Sequence, residues 1–287
     1  MELAIEIKDL TKTYKNFSLN KINFAIPKGS IMGFVGENGA GKTTTIKAIL
    51  DLIHIDGGSI SIMGADSRKL SMENKSEIGV VFDGSNLHDN MTVRHISSIM
   101  KNLYKNWSEE KYQAYLNKFQ LPKDKIIKEF SRGMKMKLSI AIALSHNSKL
   151  LILDEATSGL DPMVRDEILD IFLEFIQDEE HTILLSSHII SDIEKIADYV
   201  TFIHKGSIVF SESKDNLIYQ YGIVHCKRDE VSTIDNIYIV GIRENSFGAE
   251  VMIRNKDRFL KHHYNFHVEK TSIEEIMLFV SRGKGRL

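Results

Sequence analysis

The 287-residue sequence contains a single cysteine, Cys226, so no disulfide can close within the chain and a secreted, disulfide-held scaffold is excluded. It lacks any predominantly apolar run approaching the ~18–20 residues needed to cross a bilayer. It also lacks a basic segment leading into an apolar one. The opening MELAIEIKDL mixes acids among apolar residues, and no signal peptide is expected there. Positive charge is not in excess. Lys plus Arg number 37 against 39 Asp plus Glu, a formal charge of −2, which removes the simplest argument for a nucleic-acid partner. Internal repeats and low-complexity tracts are missing too. What is present, 43% hydrophobic and 26% charged residues, is ordinary globular composition. The length suits two domains on a ~150-residue prior.

Leu3, Ile5 and Ile7 alternate with Glu2, Glu6 and Lys8, the period of a half-buried strand. A second strand is expected over 17–26, and a short apolar one over 31–35 that runs into a glycine-rich turn. Ile46, Ile49, Leu50 and Ile53 then recur at helical spacing, predicting a helix over 44–53 stopped by Gly57 and Gly58, with a strand over 59–63. Residues 85–145 read as mainly helical, and 150–153 as a buried strand. Asp161 followed by Pro162 is a helix start. Strands are expected over 182–186, 200–203 and 208–210, with a helix over 188–197. Beyond residue 217 the texture changes. Alternation over 237–242 and 249–253 predicts a hairpin, and Ser272-x-x-Glu275 resembles a capping box. The fold class expected from this pattern is α/β. The division expected is 1–217, with its helical part at about 85–145, and a small α+β appendage at 218–287.

Gly36-Glu37-Asn38-Gly39-Ala40-Gly41-Lys42-Thr43 fits G-x-x-x-x-G-K-[ST] between a predicted strand and a predicted helix. Glycines there let backbone N–H groups converge on phosphate oxygens, and the helix N-terminus adds partial positive charge. Lys42 would reach the β and γ phosphates, and Thr43, followed by Thr44, would offer its hydroxyl to Mg²⁺. Asp154 and Glu155 follow directly on the buried strand, where α/β sheets bind ligands. Asp154 would hold Mg²⁺ through water, and Glu155 would orient or deprotonate an attacking water. Taken without the phosphate loop, the pair would read equally well as a solvated strand end.

Two further segments narrow the class. Ser131-Arg132-Gly133-Met134 precedes Asp154, and Ser158-Gly159-Leu160-Asp161 follows Glu155. His188 closes the next strand. In this order the segments resemble the nucleotide-binding domain of ATP-binding cassette (ABC) transporters, over about residues 5–210. The resemblance implies an α/β phosphate-loop NTPase core with an antiparallel β subdomain and a helical subdomain, ATP and Mg²⁺ as cofactors, and ATP hydrolysis as the activity. It implies roles for Gly36, Asn38, Gly39, Ala40, Gly41, Lys42, Thr43 and Thr44 around the nucleotide. It places Tyr14 where an aromatic stacks on adenine, although an ordinary strand-end tyrosine is the alternative. Ser131 and Gly133 would bind the γ-phosphate held by the opposing subunit, Asp161 would link the two sites, and His188 would contact the γ-phosphate.

Two positions depart from that pattern. The signature usually reads Leu-Ser-Gly-Gly-Gln, and here it reads Phe130-Ser131-Arg132-Gly133-Met134. Met134 cannot replace an amide, while Arg132 either adds a cation near phosphate or is simply solvated. Asp83 stands where glutamine usually approaches Mg²⁺ and the attacking water. It would still ligate Mg²⁺ and serve turnover, slowed or more metal-dependent, unless a slipped register gives the role to Asn86.

The resemblance further implies a second nucleotide-binding domain, a homodimer or a paralogue, and a separate transmembrane permease as partners. It implies no nucleic acid, and a cytoplasmic position on the inner membrane face. Residues 82–87 and the aromatic-rich 103–119 lie near the expected permease groove, though packing within the helical subdomain explains most of those aromatics. The variant signature and the appendage look most like bacterial exporters of peptides, antibiotics or lipids, with phenol-soluble-modulin exporters the nearest subgroup suggested. The alternative is a catalytically slowed regulatory or binding-type ABC ATPase. His225, His262, His263 and His267 in the appendage do not show metal-site spacing.

Overall fold

A computed structural model of the protein describes residues 2–84 and 87–282, so Asn86 and part of the 82–87 segment lie outside the described residues. The chain forms two compact units, Met1–Ile208 and Val209–Leu287.

The first unit begins with a hairpin of β1 (Leu3–Tyr14) and β2 (Phe17–Pro27), antiparallel, with Ile5, Ile7 and Leu10 turned inward as their alternation requires. Next come β3 (Ile31–Val35), α1 (Lys42–Ile49), β4 (Gly57–Ile62), β5 (Ala65–Asp66), α2 (Met72–Ser76) and β6 (Ile78–Val81). The helical stretch holds α3 (Val93–Leu103), α4 (Glu109–Lys118) and α5 (Arg132–Leu144). The unit continues through β7 (Leu150–Asp154), α6 (Pro162–Phe175), β8 (Thr182–Ser187), α7 (Ile190–Ile196) and β9 (Tyr199–His204).

Two sheets result. One is antiparallel, in the order β2-β1-β4-β5. In the other, β9-β3-β8-β7-β6 lie side by side and run parallel. Every residue of β3, β7 and β8 is buried, as expected for parallel strands covered on both faces. One cluster joins Ile5, Ile22 and Ile62 of the first sheet to Phe34, Ile152 and Leu184 of the second, and includes Ile46 and Ile49 of α1. Truncating Ile152 to alanine in such a core costs roughly 2–5 kcal/mol. Register then sets the site. Val35 pairs with Ser187, and Asp154 with Ser186, so the carboxyl ends of β3, β7 and β8 open side by side.

The helix predicted over 44–53 ends earlier. It stops at Leu50 because Asp51 takes a left-handed φ of 55°. The N–H of Asp51 then returns to Ala48 O at 3.1 Å and that of Leu52 to Lys47 O at 2.9 Å, a Schellman closure made without glycine. Gly57 and Gly58 instead open β4. In the helical stretch Tyr112, Leu116 and Phe119 are buried, and Tyr112 Oη donates to Val93 O at 3.2 Å, so these side chains hold the subdomain together.

In the second unit, β10 (Ser207–Ser213) carries the chain across the division. It is followed by α8 (Lys214–Gln220), β11 (Gly222–Cys226), β12 (Ile239–Glu244), β13 (Ala249–Ile253), α9 (Lys256–His262), β14 (Val268–Glu269) and α10 (Ile273–Arg282). The division falls upstream of the 217/218 change of texture, which lies inside α8 at the buried Leu217. The antiparallel order is β12-β13-β11-β14. The predicted hairpin forms, closed by Asn245 N–H to Gly248 O at 3.0 Å. The capping box forms too: Glu275 N–H donates to Ser272 Oγ and Ser272 N–H to Glu275 Oε2, both at 3.1 Å.

Candidate functional site

The loop between β3 and α1 closes around Lys42. Ala40 N–H turns back to Glu37 O at 3.1 Å, and Gly41 caps α1 at φ 119°. A Cβ at Gly41 would lie 2.7 Å from Leu19 and 2.9 Å from Phe17, so glycine is required there on both counts. Lys42 is 5% exposed. Its Nζ donates to Gly36 O at 2.7 Å and Glu37 O at 3.3 Å.

The carboxylate pair converges on this loop. Thr43 Oγ1 donates to Asp154 Oδ2 at 2.8 Å, and Ser186 Oγ donates to Asp154 Oδ1 at 2.6 Å. Glu155 takes a left-handed φ of 54°, uncommon outside glycine, which turns its side chain back toward the loop. Its Oε1 lies 3.0 Å from Lys42 Nζ, an ion pair rather than a well-aligned hydrogen bond. Its Oε2 lies 2.6 Å from His188 Nδ1, which therefore carries the proton in this arrangement. Two contact groups result, Lys42–Glu155–His188 and Thr43–Asp154–Ser186, held side by side because Lys42 and Thr43, and Asp154 and Glu155, are chain neighbours.

A cavity of about 650 Å³ lies over these groups, walled by Asn16, Phe17, Asn38, Gly39, Gly41, Lys42, Thr43, Thr44, Asp83 and Glu155. Its wall offers the Thr43 hydroxyl and the Asp83 carboxylate, and the buried Asp154 carboxylate stands directly behind Thr43, hard oxygen donors that fit Mg²⁺ beside phosphate. Asn16 and Phe17 are wall residues the sequence reading missed. Asn16 lies in the turn after β1 and Phe17 opens β2, and their place over the loop depends on the folded hairpin. Tyr14 sits at the end of β1, 45% exposed, with Lys12 Nζ 5.4 Å from its ring centroid. It is not among the residues walling the cavity.

Three predicted residues sit apart from this cavity. Ser131 caps α5, its Oγ accepting from Met134 N–H at 3.2 Å. Gly133 lies in the first turn of that helix. Asp161 caps α6, accepting from Val164 N–H at 3.1 Å, with Pro162 at the first helical position. Arg132 is half-exposed but not free: its Nη2 donates to Asp83 Oδ1 at 2.8 Å. In the second unit, His263 Nε2 lies 3.4 Å from Asp235 and His225 Nε2 lies 3.4 Å from Glu269.

Comparison with known proteins points the same way. The ABC transporter family profile matches residues 19–158. The bacitracin transport ATP-binding protein BcrA of Enterococcus faecalis is 36% identical over 212 residues, covering 73% of this chain and 69% of that protein. The lantibiotic transport ATP-binding protein SrtF of Streptococcus pyogenes is 37% identical over 214 residues, covering 74% of this chain and 91% of that one. A solved ATP-binding subunit of an ABC transporter superposes with a TM-score of 0.67 at 27% identity, covering 75% of this chain and 92% of its own.

Proposed function

This chain belongs to the ABC transporter family, and on that premise we propose that it binds and hydrolyses ATP between two nucleotide-binding units to drive export through a separate permease. The observation that carries the site is the convergence of two contact groups, Lys42–Glu155–His188 and Thr43–Asp154, with contacts of 2.6 to 3.0 Å and with Lys42, Thr43 and Glu155 in the wall of one cavity.

The residues divide the work as follows. N–H groups of the loop at Gly39–Thr43 and the Lys42 ammonium bind the phosphates. Thr43, Asp154 and Asp83 would hold Mg²⁺, which would draw charge from the phosphate oxygens. Lys42 turns from Glu155 to phosphate, which leaves Glu155 Oε1 open to a water. Glu155 accepts the proton of that water as its oxygen bonds to the γ-phosphorus and the bond to ADP breaks. His188, donating to Oε2, fixes the carboxylate. Tyr14 stacks on the adenine at the mouth.

Ser131, Gly133 and Asp161 lie outside this cavity, and we assign them to the nucleotide of a second copy or a paralogue. The N-terminus of α5 offers the second phosphate the same N–H groups and dipole as the loop. No helix among the described residues is long and apolar enough to cross a membrane, which supports a permease supplied by another chain. We place the subunit on the inner membrane face through that partner. The cargo we assign is a peptide or antibiotic, after the bacitracin and lantibiotic transport relatives. The ATPase belongs to the first unit, and the second is accessory.

Steady-state phosphate release from purified protein tests the catalytic reading. Wild type releases phosphate from MgATP, and Lys42→Ala does not. Release that survives Lys42→Ala would end the proposal. Recovery of a multi-span membrane protein with the tagged chain tests the permease.

A further inference from the structure

The nucleotide cavity has an excess of acid. Its wall holds two carboxylates, Asp83 and Glu155, against one cation, Lys42, and that cation is already engaged by Glu155. Before any metal ion is seated, a polyanion entering such a space meets repulsion unless Asp83 is neutralised from outside. Arg132 does this. It lies in the adjoining hollow of about 440 Å³, lined by Asp83, Phe130, Arg132, Lys135 and Met136 among others, and reaches Asp83 Oδ1 at 2.8 Å.

The guanidinium is seated rather than loose. Gly159, on the loop after Glu155, takes φ 67°, and a Cβ there would stand 2.5 Å from Arg132 Nη1 and 2.8 Å from its Cζ. The cation therefore occupies space left by a glycine while it pairs with the cavity's outer acid. Lys135, the other cation of the hollow, is held by Asp89 at 3.1 Å and does not substitute for it.

We propose that Arg132 is a positioning residue for nucleotide binding in its own chain: it cancels the charge of Asp83 and so makes the cavity acceptable to a nucleoside triphosphate. This rests on the reading of the cavity as the ATP site. Both side chains are 52% exposed, so the effect is moderate and sensitive to salt.

The test is equilibrium titration of metal-free ATP, with a chelator present so that the role of Asp83 as an ion ligand does not enter, against wild type, Arg132→Ala, Arg132→Lys and the double variant Asp83→Asn/Arg132→Ala, at low and high salt. Arg132→Ala should weaken binding about two- to fivefold at low salt and less at high salt. Arg132→Lys should retain wild-type affinity, and the double variant should regain it, because no unpaired acid remains. Wild-type affinity in Arg132→Ala, or a double variant as weak as Arg132→Ala, overturns the inference. A defect that salt leaves unchanged overturns it as well. Wild type that binds ATP only with Mg²⁺ overturns it too, since the metal and not Arg132 then neutralises Asp83; wild type that binds ATP neither with nor without Mg²⁺ would instead overturn the reading of the cavity.

Discussion

Lys42 and Glu155 hold each other across the mouth of the phosphate loop: Nζ stands 3.0 Å from Oε1, and both side chains are almost wholly buried. The same ammonium is bound by the carbonyls of Gly36 and Glu37, so its donors are engaged before any phosphate arrives. ATP therefore competes with Glu155 for Lys42. Glu155→Gln removes a charged competitor and should bind ATP more tightly, by up to about tenfold, which is 1.4 kcal/mol. Fluorescence or calorimetric titration reads this directly. Equal or weaker binding by the variant would show that the pair does not oppose nucleotide entry.

Asp154 accepts hydroxyl hydrogen bonds on both oxygens, from Thr43 and from Ser186. Asp154→Asn keeps the shape and much of the bonding, and should change folding stability by no more than about 1–2 kcal/mol. It removes the charge that faces a divalent ion. The gap between ATP affinity with Mg²⁺ and with a chelator should therefore shrink in the variant. An undiminished gap would place the ion elsewhere.

Tyr14 and Phe17 separate binding from packing. Tyr14 is largely open, whereas Phe17 packs against the core that joins the two sheets. Tyr14→Ala should weaken ATP binding by about fivefold to a hundredfold, since an aromatic contact on a base is worth about 1–3 kcal/mol, with little loss of stability. Phe17→Ala should lower the melting temperature. A Tyr14→Ala variant with unchanged nucleotide affinity would leave the wall residue Phe17 as the base contact.

His146 gives a pH dependence with a fixed sign. Burial holds its pKa below the ordinary 6.5, while its Nδ1 donates to Ser76 O at 2.9 Å and its ring stacks on Tyr104 at 4.1 Å. The folded form is neutral. Below about pH 6.5 the unfolded chain binds a proton that the folded chain does not, so this contribution is intact above that pH and is lost as pH falls through the folded value. His146→Asn keeps a donor for Ser76 and cannot titrate. Its denaturant midpoint should fall less than that of wild type between pH 7 and pH 5. Parallel declines would assign the acid sensitivity to other groups.

Much of the site was legible because its signals are local. The phosphate loop, the acids after β7, the Asp161-Pro162 helix start and the Ser272–Glu275 box each lie within a few residues, where spacing alone fixes geometry. The features that escaped depend on chain segments meeting. Ser186 reaches Asp154 from the neighbouring strand, and Phe17 reaches the loop only once β1 and β2 are folded over it. Arg132 and Asp83 each stood out as departures, but nothing in their local sequence says that they pair. The early end of α1 was hidden for a different reason. Asp51 adopts a left-handed conformation that glycine usually signals, so Gly57 and Gly58 drew the boundary instead.

The central claim is that one chain supplies only half of each ATP site. Sedimentation of the Glu155→Gln variant in excess MgATP tests it most directly, since hydrolysis is blocked while the phosphate-binding groups remain. The account predicts a stable dimer that returns to monomer when ATP is withdrawn, and that fails to form when Ser131→Asp adds a charge at the capping position of α5. A protein that stays monomeric with ATP bound would contradict it.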